Sequence, residues 1–343
     1  MKRILAILFS LFCGNVIYAQ VGGSYTYAFM DLPATARITA MGGNLITFKD
    51  SDPGQAADNP SLLNYKMDKT MVLSYMSYFA GINNGFASYA FDNKLGTFNT
   101  SIKYLDYGSF READAGNNEI GTFTANEMVL TTGYGRAIDS SFTVGANAKL
   151  IYSNLYLYYS VGFAVDLAAS YEIKKSLFHA TMLIKNMGVQ LKPYVPGDQE
   201  PLPFDVQFGI SKSFKNMPFK FSIVAHNLGR GKLTYSAPGQ ESSGAFGNSN
   251  TENKESTFEN VIRHFIVAAE MFPGRNFNLR FGYNFQRRKE MLLDERPATV
   301  GLSWGFGLKI AKFHFSYARS AYHLYGSPNH ITVLTRFSDW SKS

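Results

Sequence analysis

The chain has 343 residues, with 33 Lys and Arg against 26 Asp and Glu, a formal net charge of +7 and a single cysteine. Its basic residues are scattered, with "QRRKE" (286–290) as the densest run, which argues against nucleic-acid binding because such proteins concentrate their charge on one face. Aromatic residues make up 15% of the sequence, a high share for a soluble domain.

The first stretch, residues 1–19, has the features of a secretory signal peptide. Two basic residues precede an apolar run over 4–12, and Ala19 offers a small residue at the expected cleavage point. The run is too short for a membrane helix, and no later run reaches the roughly 18 apolar residues that a membrane helix needs. Cys13 lies in the leader behind the bulky Phe12, which disfavours lipidation. The mature chain therefore has no thiol for disulfides, metal binding or catalysis.

Residues 20–68 show no strand-like alternation and hold few bulky side chains. The stretch "LPATARITAMGGN" (32–44) is built largely from small residues and ends on a glycine pair. Asn59 and Pro60 predict the start of a short helical turn, with Asn as the cap and Pro in the first helical position. Small residues allow close backbone packing, and glycine permits turns that a Cβ would forbid. We expect this segment to pack against the rest of the chain.

From residue 69 onward, period-two alternation predicts β-strands. In "RNFNLRFGYNFQR" (275–287), Phe and Tyr side chains fall on one face and polar residues or glycine on the other. Many segments exceed the usual strand of about 5–6 residues and match the roughly 9–11 residues that a tilted strand needs to cross a bilayer. The fourteen predicted strands are 69–79, 83–92, 95–107, 121–137, 141–156, 159–173, 176–187, 203–215, 218–229, 258–272, 275–287, 297–309, 311–321 and 327–337.

The connections between these strands indicate the architecture. Tight turns such as "DNKLG" and "KNMP" alternate along most of the chain with longer stretches such as "GVQLKPYVPGDQEPLP". Outer-membrane barrels have this arrangement, with short periplasmic turns, long external loops and an even strand number. The sequence therefore predicts an all-β, fourteen-stranded antiparallel transmembrane barrel over residues 69–337, with a periplasmic tail at 338–343 and residues 20–68 as an N-terminal plug. A soluble β-sandwich is the alternative.

Charged residues on the small-residue faces of the strands would point into such a barrel. They could hold a plug or tune a channel, or they could be solvated or paired among themselves. We expect Arg37 of the N-terminal segment to pair with a lumen carboxylate such as Asp166 or Asp205. The predicted lumen charges are Lys103, Lys149, Asp166, Lys185, Asp205, Lys220, Arg280, Lys309 and Arg336.

Motifs for catalysis or cofactor binding are weak. "GLSWG" (301–305) has the spacing of a nucleophile elbow, but Ser303 lies within a predicted strand and no helix follows it. The six histidines lack the spacing of a helical zinc site, and neither glycine pair has the spacing of a dinucleotide-binding loop. We expect no enzymatic activity, no cofactor and no metal.

Two motifs carry a resemblance to a known family. The pattern A-R-x-x-A-M-G-G with a downstream D-N-P-S-L-L resembles the N-terminal hatch of FadL-like outer-membrane proteins. More specifically, "FMDLPATARITAMGG" is similar to the opening of the PorV/PorQ family of the Bacteroidetes type IX secretion system, and "PLPFDVQFGISKSF", "FKFSIVAHNLGR" and "NHITVLTRF" resemble the PorQ branch. Ser61 departs from the alanine common in FadL-like relatives. The family's hatch pattern falls on Ala36, Arg37, Ala40, Met41, Gly42, Gly43, Asn44, Asn59 and Pro60.

The resemblance implies a non-enzymatic component of the cell-surface attachment complex, which anchors a PorZ-like surface protein alongside PorU- and PorV-like components, in contact with outer-membrane lipid and lipopolysaccharide. Because loops on rigid scaffolds commonly carry binding, we expect docking through the external loops. The connection 229–257, which includes Gly229, Tyr235 and Phe246, is the predicted docking loop. The alternative is a FadL-type transporter of hydrophobic small molecules. A third possibility, a soluble periplasmic enzyme, lacks a convergent catalytic set.

Overall fold

The chain forms a closed antiparallel β-barrel of fourteen strands, as predicted. The computed structural model describes residues 25–230, 233, 257–290, 299–321 and 327–340. Each strand pairs with its sequence neighbours, and β1 closes the barrel against β14. The strands are β1 (Thr70–Ser77), β2 (Asn83–Asn93), β3 (Gly96–Ala113), β4 (Glu119–Ala137), β5 (Phe142–Leu155), β6 (Tyr158–Ile173), β7 (Phe178–Lys192), β8 (Asp205–Ser213), β9 (Phe219–Ala225), β10 (Phe265–Met271), β11 (Phe277–Asn284), β12 (Leu302–Ile310), β13 (Phe313–Ser320) and β14 (Asn329–Arg336).

Short helices lie before β1, in two of the long connections and after β14. In the described residues, no helix is long and apolar enough to cross a membrane. The α-helices are α1 (Ala36–Ala40), α2 (Thr257–Arg263) and α3 (Phe285–Glu290), and the 3-10 turns are Ala28–Asp31, Pro53–Gln55, Pro60–Leu62, Tyr65–Met67 and Phe337–Asp339.

The two faces of the barrel wall have opposite chemistry. Along β12, the side chain of Trp304 points outward and is 42% exposed, whereas its neighbour Ser303 points inward and is 0% exposed. The other strands repeat this alternation, with Phe, Tyr and Leu outside and Ser, Thr, Asn and charged residues inside. Because lipid accepts apolar side chains and a closed barrel leaves no backbone groups unpaired, this outer face suits a membrane.

The connections at the two ends of the barrel differ in length. At one end, only a few residues join β2 to β3, β6 to β7 and β12 to β13. β1 begins and β14 ends at the same end. At the other end lie the connections over 193–204, 226–264 and 285–301. By the usual orientation of such barrels, the first end is periplasmic and the second is extracellular.

Several strand boundaries differ from the predicted ones. β3 continues to Ala113 and β4 begins at Glu119, so most of the predicted loop between them is strand. β10 is shorter than predicted because residues 257–263 are helical, with Glu259 in the first turn and Arg263 in the last, where each charge complements the helix dipole. β11 ends at Asn284, whose side-chain oxygen accepts a hydrogen bond from the Arg287 amide and caps α3.

Residues 25–69, here called the N-terminal segment, contact inward-facing side chains around the barrel wall. Thr39 bonds to His330 of β14, Thr47 to Ser222 of β9, and Ser61 to Ser170 of β6. The strands in these contacts lie on different sides of the barrel, so the segment runs through the lumen. Residues 20–24 of the predicted plug lie outside the described residues. Whether the segment acts as a plug stays a prediction.

Candidate functional site in the barrel lumen

Helix α1 fits into the lumen because its residues are small. Thr35 caps the helix by accepting a hydrogen bond from the Ile38 amide, and the Ala36 amide donates to Thr332 of β14 at 2.8 Å. Ala40 is fully buried. A Cβ placed at Gly305 of β12 would lie only 2.8 Å from the Cβ of Ala40. A bulky side chain on this helix would therefore push it away from the wall.

The glycine pair after α1 makes the closest approach to the barrel wall. Gly42 and Gly43 have φ angles of 90° and 93°, which favour glycine. A Cβ at Gly282 of β11 would lie 2.2 Å from the Gly42 amide nitrogen, so backbone packs against backbone at this point. Met41 is fully buried beside them, and Asn44 is half-buried at the edge of a cavity.

The predicted turn at Asn59 and Pro60 is confirmed. The Asn59 side-chain oxygen accepts a hydrogen bond from the Ser61 amide at 3.0 Å, and Pro60 takes the first helical position. The Asn59 amide also donates to the Ile46 carbonyl at 2.7 Å, which ties two parts of the N-terminal segment together. The carbonyl oxygen of Pro60 would lie 2.5 Å from a Cβ at Gly145, so this turn also depends on a glycine in the wall.

Arg37 is the centre of a buried charge network. Its guanidinium donates to both carboxylate oxygens of Glu270 on β10, at 3.2 Å from Nε and 2.7 Å from Nη2. It also lies 2.8 Å from Asp50 and 3.4 Å from Asp52 within the N-terminal segment. Glu270 in turn accepts from Arg280 of β11 at 2.8 Å. The network thus connects the segment to two strands.

Burial and charge act in opposite directions on this network. Burial opposes ionisation of Arg37, but Asp50, Glu270 and Asp52 outweigh it and hold the Arg37 pKa well above its ordinary value. Burial likewise raises the Asp50 pKa, but Arg37 and Lys220 outweigh it, so the net shift of that pKa is downward. Both groups are therefore charged at neutral pH.

The predicted pairing of Arg37 with a lumen carboxylate is confirmed in Glu270, but the two named candidates were wrong, because Asp166 and Asp205 are engaged elsewhere. Asp166 of β6 forms an ion pair with Lys149 on the neighbouring β5, at 2.7 Å. Asp205 lies towards the extracellular end, where it accepts from the Asn227 amide at 2.6 Å. Sequence reasoning missed Glu270, although its place between apolar residues in "VAAEM" is the same signal that marked the other lumen charges.

Two further lysines hold the N-terminal segment to the wall. Lys103 of β3 donates to the carbonyls of Met30 and Leu32, at 3.1 and 2.6 Å. Lys185 of β7 forms an ion pair with Asp58 at 2.9 Å. Burial opposes ionisation of Asp58, but Lys185 and Lys103 outweigh it and hold the Asp58 pKa below its ordinary value.

The remaining predicted residues lie at different depths. Lys220 lies over the Phe48 ring, 4.2 Å from its centroid. Lys309 is exposed at the periplasmic end of β12, and Arg336 is half-buried at the end of β14, where it donates to the Lys66 carbonyl. Of the predicted docking loop, Gly229 is exposed at the extracellular end, while Tyr235 and Phe246 lie outside the described residues.

Among the cavities that border the N-terminal segment in the described part of the chain, one lies at each end of the barrel. The extracellular cavity has a volume of about 320 Å³ and the periplasmic one about 220 Å³. Burial lowers the pKa of His226, at the first cavity, to about 3, so its ring is neutral. Charged side chains line both cavities, among them Asp31, Lys185, Arg230 and Glu290 in the first and Arg37, Asp50, Glu270 and Arg280 in the second.

The serine considered as a nucleophile lies within the barrel wall. Ser303 lies within β12 and shares a hydrogen bond with Ser320 of β13 at 2.7 Å. In the described ranges, no three His, Cys, Asp or Glu side chains come close enough to hold a metal ion.

Comparisons with known proteins show a shared fold. The toluene transporter TbuX of Ralstonia pickettii has a TM-score of 0.54 at 13% identity, over 90% of this chain and 100% of that chain. The toluene transporter TodX of Pseudomonas putida has a TM-score of 0.50 at 12% identity, over 88% and 96%. A FadL homologue of Pseudomonas aeruginosa has a TM-score of 0.48 at 9% identity, over 89% and 98%.

No protein family and no curated protein matches the sequence, so the resemblance to the PorV/PorQ family stays a prediction. The structure establishes the architecture without a family match. A closed barrel of fourteen antiparallel strands with an apolar outer face is that of a multi-pass outer-membrane protein.

Proposed function

We propose that this protein is a closed outer-membrane barrel that anchors a surface protein, in a PorQ-like role within the attachment complex of the type IX secretion system. The observation that carries the proposal is the chemistry of the lumen. The N-terminal segment is bonded to the wall by buried ion pairs, of which Arg37 with Glu270 and Lys185 with Asp58 are the clearest. Within the described residues, the linings of the cavities beside it include several charged side chains, which disfavours a hydrocarbon as their ligand.

The resemblance of the N-terminal motif supports the same function. The residues that resemble the family's hatch pattern are the ones that make close contacts in the lumen, with Arg37 in the charge network and Gly42 against the wall. A rigid barrel whose lumen holds the N-terminal segment offers its external end for binding, since loops on rigid scaffolds commonly carry function. The proposed partner is a PorZ-like surface protein, with PorU- and PorV-like proteins in the same complex.

Purification of a tagged chain from its native outer membrane tests this function. We expect a PorZ-like surface protein to co-purify, together with PorU- and PorV-like components, as identified by mass spectrometry. A tagged barrel of unrelated fold family from the same membrane serves as the control for adventitious capture. Recovery of the barrel with none of these proteins would contradict the proposal.

The fold comparisons favour a second function, the transport of hydrophobic small molecules. TbuX and TodX are toluene transporters, and this chain shares their barrel at 13% and 12% identity. In this case the N-terminal segment would have to shift to open a path, because charged side chains line the cavities around it.

Uptake into proteoliposomes separates the two functions. The purified barrel would be reconstituted and offered radiolabelled toluene or a long-chain fatty acid, with protein-free liposomes as the baseline. For an anchoring barrel we expect uptake at the baseline rate. Uptake several times faster than that baseline would establish transport instead.

A further inference from the structure

The hairpin of β3 and β4 extends beyond its neighbours as a two-stranded ribbon. β3 and β4 contain 18 and 19 residues, whereas β1 and β14 contain 8 each. Pairing of β2 with β3 stops at Asn83 opposite Asp106, and pairing of β4 with β5 stops at Ala125 opposite Leu155. Residues 107–124, here called the ribbon, therefore have no neighbouring strand on either edge within the described chain.

The length of the ribbon carries it well above the membrane. Seven further residues on β3, at about 3.3 Å each and a tilt of about 40°, add about 18 Å of height. Apart from Ile120, which is 62% exposed, the exposed side chains on the outward side of the ribbon, such as Arg111, Thr122 and Thr124, are polar, unlike the apolar belt below it. This change of chemistry agrees with a position outside the lipid.

The inward side of the ribbon carries a row of aromatic rings. Phe123 lies on the same side of β4 as the inward-facing Glu127, and its ring stacks on Phe110 at 5.2 Å between centroids. On its other side, the ring of Tyr156 lies 4.5 Å away. Phe110 and Tyr156 are 41% and 40% exposed, so the row is open on one side. A two-stranded hairpin is marginally stable alone, which makes an uncovered aromatic face on it a feature that needs a partner.

The shape and charge of the ribbon indicate what kind of partner it binds. An open sheet face suits a protein surface, whereas small apolar ligands are bound in concave pockets. The ribbon holds three carboxylates, Glu112, Asp114 and Glu119, against the single Arg111. This excess of negative charge repels the phosphates of lipopolysaccharide and attracts a basic protein surface.

The tip of the ribbon is ordered for binding. The Asp114 carboxylate accepts hydrogen bonds from the amides of Gly116 and Asn118, both at 2.8 Å. Beside the tip, the hydroxyl of Tyr156, in the turn between β5 and β6, donates to Glu112. An ordered surface loses less conformational freedom on association, which favours affinity.

We propose that the ribbon is the docking site for a surface protein, which covers the Phe110–Phe123–Tyr156 row with apolar side chains and faces the ribbon carboxylates with basic ones. This inference rests on the proposed anchoring function and assigns its contact surface. It places docking on residues 107–124 and Tyr156 and not on the 229–257 connection.

A double variant, F110A with F123A, tests the proposal in the full-length tagged barrel. Buried aromatic anchors commonly dominate binding, so we expect at least a roughly tenfold loss of the surface protein that the wild-type barrel retains, measured by quantitative mass spectrometry. The matched control is F163A with F208A, which removes two exposed rings, 41% and 46%, from the lipid-facing belt. A gel shift on heating verifies that each barrel is folded. Glu119→Lys should lower retention as well, because it reverses a charge at the tip.

The possible results distinguish failure of the ribbon site from failure of the anchoring function. Loss in F110A/F123A but not in the control pair supports the ribbon site. Equal retention by both pairs, or loss only when residues 234–255 are deleted, overturns the ribbon site and leaves the anchoring function standing. If the wild-type barrel retains no surface protein, or retains only lipid or a hydrophobic small molecule, the anchoring function falls and the ribbon site falls with it.

Discussion

Replacing Glu270 by glutamine removes the carboxylate that joins Arg37 to Arg280 inside the barrel. Glutamine keeps the size of the side chain and one acceptor oxygen, but it carries no charge. The side chains of Arg37 and Glu270 are 9% and 1% exposed, so solvent does little to compensate the loss. We expect the N-terminal segment to loosen while the strands stay paired, because the hydrogen bonds between strands do not depend on the Arg37–Glu270 ion pair.

The free-energy cost of Glu270→Gln depends on which partners Arg37 and Arg280 keep. Arg37 retains Asp50 at 2.8 Å and Asp52 at 3.4 Å, whereas Arg280 retains a hydrogen bond to Ser316 at 3.0 Å. Breaking a buried ion pair costs about 3–5 kcal/mol, and the remaining partners place this case at the lower end, about 3 kcal/mol. At about 1.4 kcal/mol per factor of ten, the segment should open roughly 100-fold more often.

Hydrogen exchange of the α1 amides measures this opening. The Thr39 and Met41 amides donate within the helix, at 3.0 and 3.2 Å, and are protected only while the segment is seated. The matched control is Glu259→Gln, the same chemical change at the exposed pair with Lys289, where both side chains are 41% exposed. We expect no change in α1 exchange there. Unchanged exchange in Glu270→Gln, or equal acceleration in both variants, would refute the role assigned to the network.

Three further predictions concern the packing, the pH dependence and the lipid-facing surface. Gly282→Ala should displace the N-terminal segment, because the new Cβ would lie 2.2 Å from the amide nitrogen of Gly42. Gly85→Ala is the control, since its Cβ would meet nothing within 4 Å. We expect faster hydrogen exchange of the α1 amides only in Gly282→Ala. Because the pKa of Asp58 is lowered in the folded state, its ion pair stabilises the fold fully above the ordinary value of 3.8, and this stabilisation is lost as the pH falls through the lower folded-state value. The melting-temperature gap between wild type and Asp58→Asn should therefore be open at pH 7, begin to narrow near about pH 4 and close only at lower pH. A gap that stays constant with pH would contradict the ion pair. Phe281→Arg, at a lipid-facing position with 51% exposure, should cost about 2–4 kcal/mol in the urea-induced unfolding of the barrel from vesicles, and a midpoint equal to wild type would argue against membrane contact there.

The amino-acid sequence alone determined the barrel. Alternation along stretches such as 275–287 marks the two faces of each strand, because successive side chains of a strand point to opposite sides. Charge in the middle of otherwise small faces identified Lys149, Asp166 and Arg280 as inward-facing. The cap at Asn59 was also predictable, since it depends only on the residue and its near neighbours.

Only the tertiary structure decided which charges meet. Arg37 lies 233 positions from Glu270 in sequence, and they come together because the N-terminal segment threads the lumen at one particular depth and angle. Periodicity fixes which way a side chain points but not its height or its place around the barrel, so Asp166 and Asp205 looked as suitable as Glu270 from the sequence. The ribbon was hidden for a similar reason. Glycine, Asp and Asn in "DYGSFREADAGNNEIG" indicate a loop locally, whereas cross-strand pairing between Phe110 and Phe123 keeps it extended.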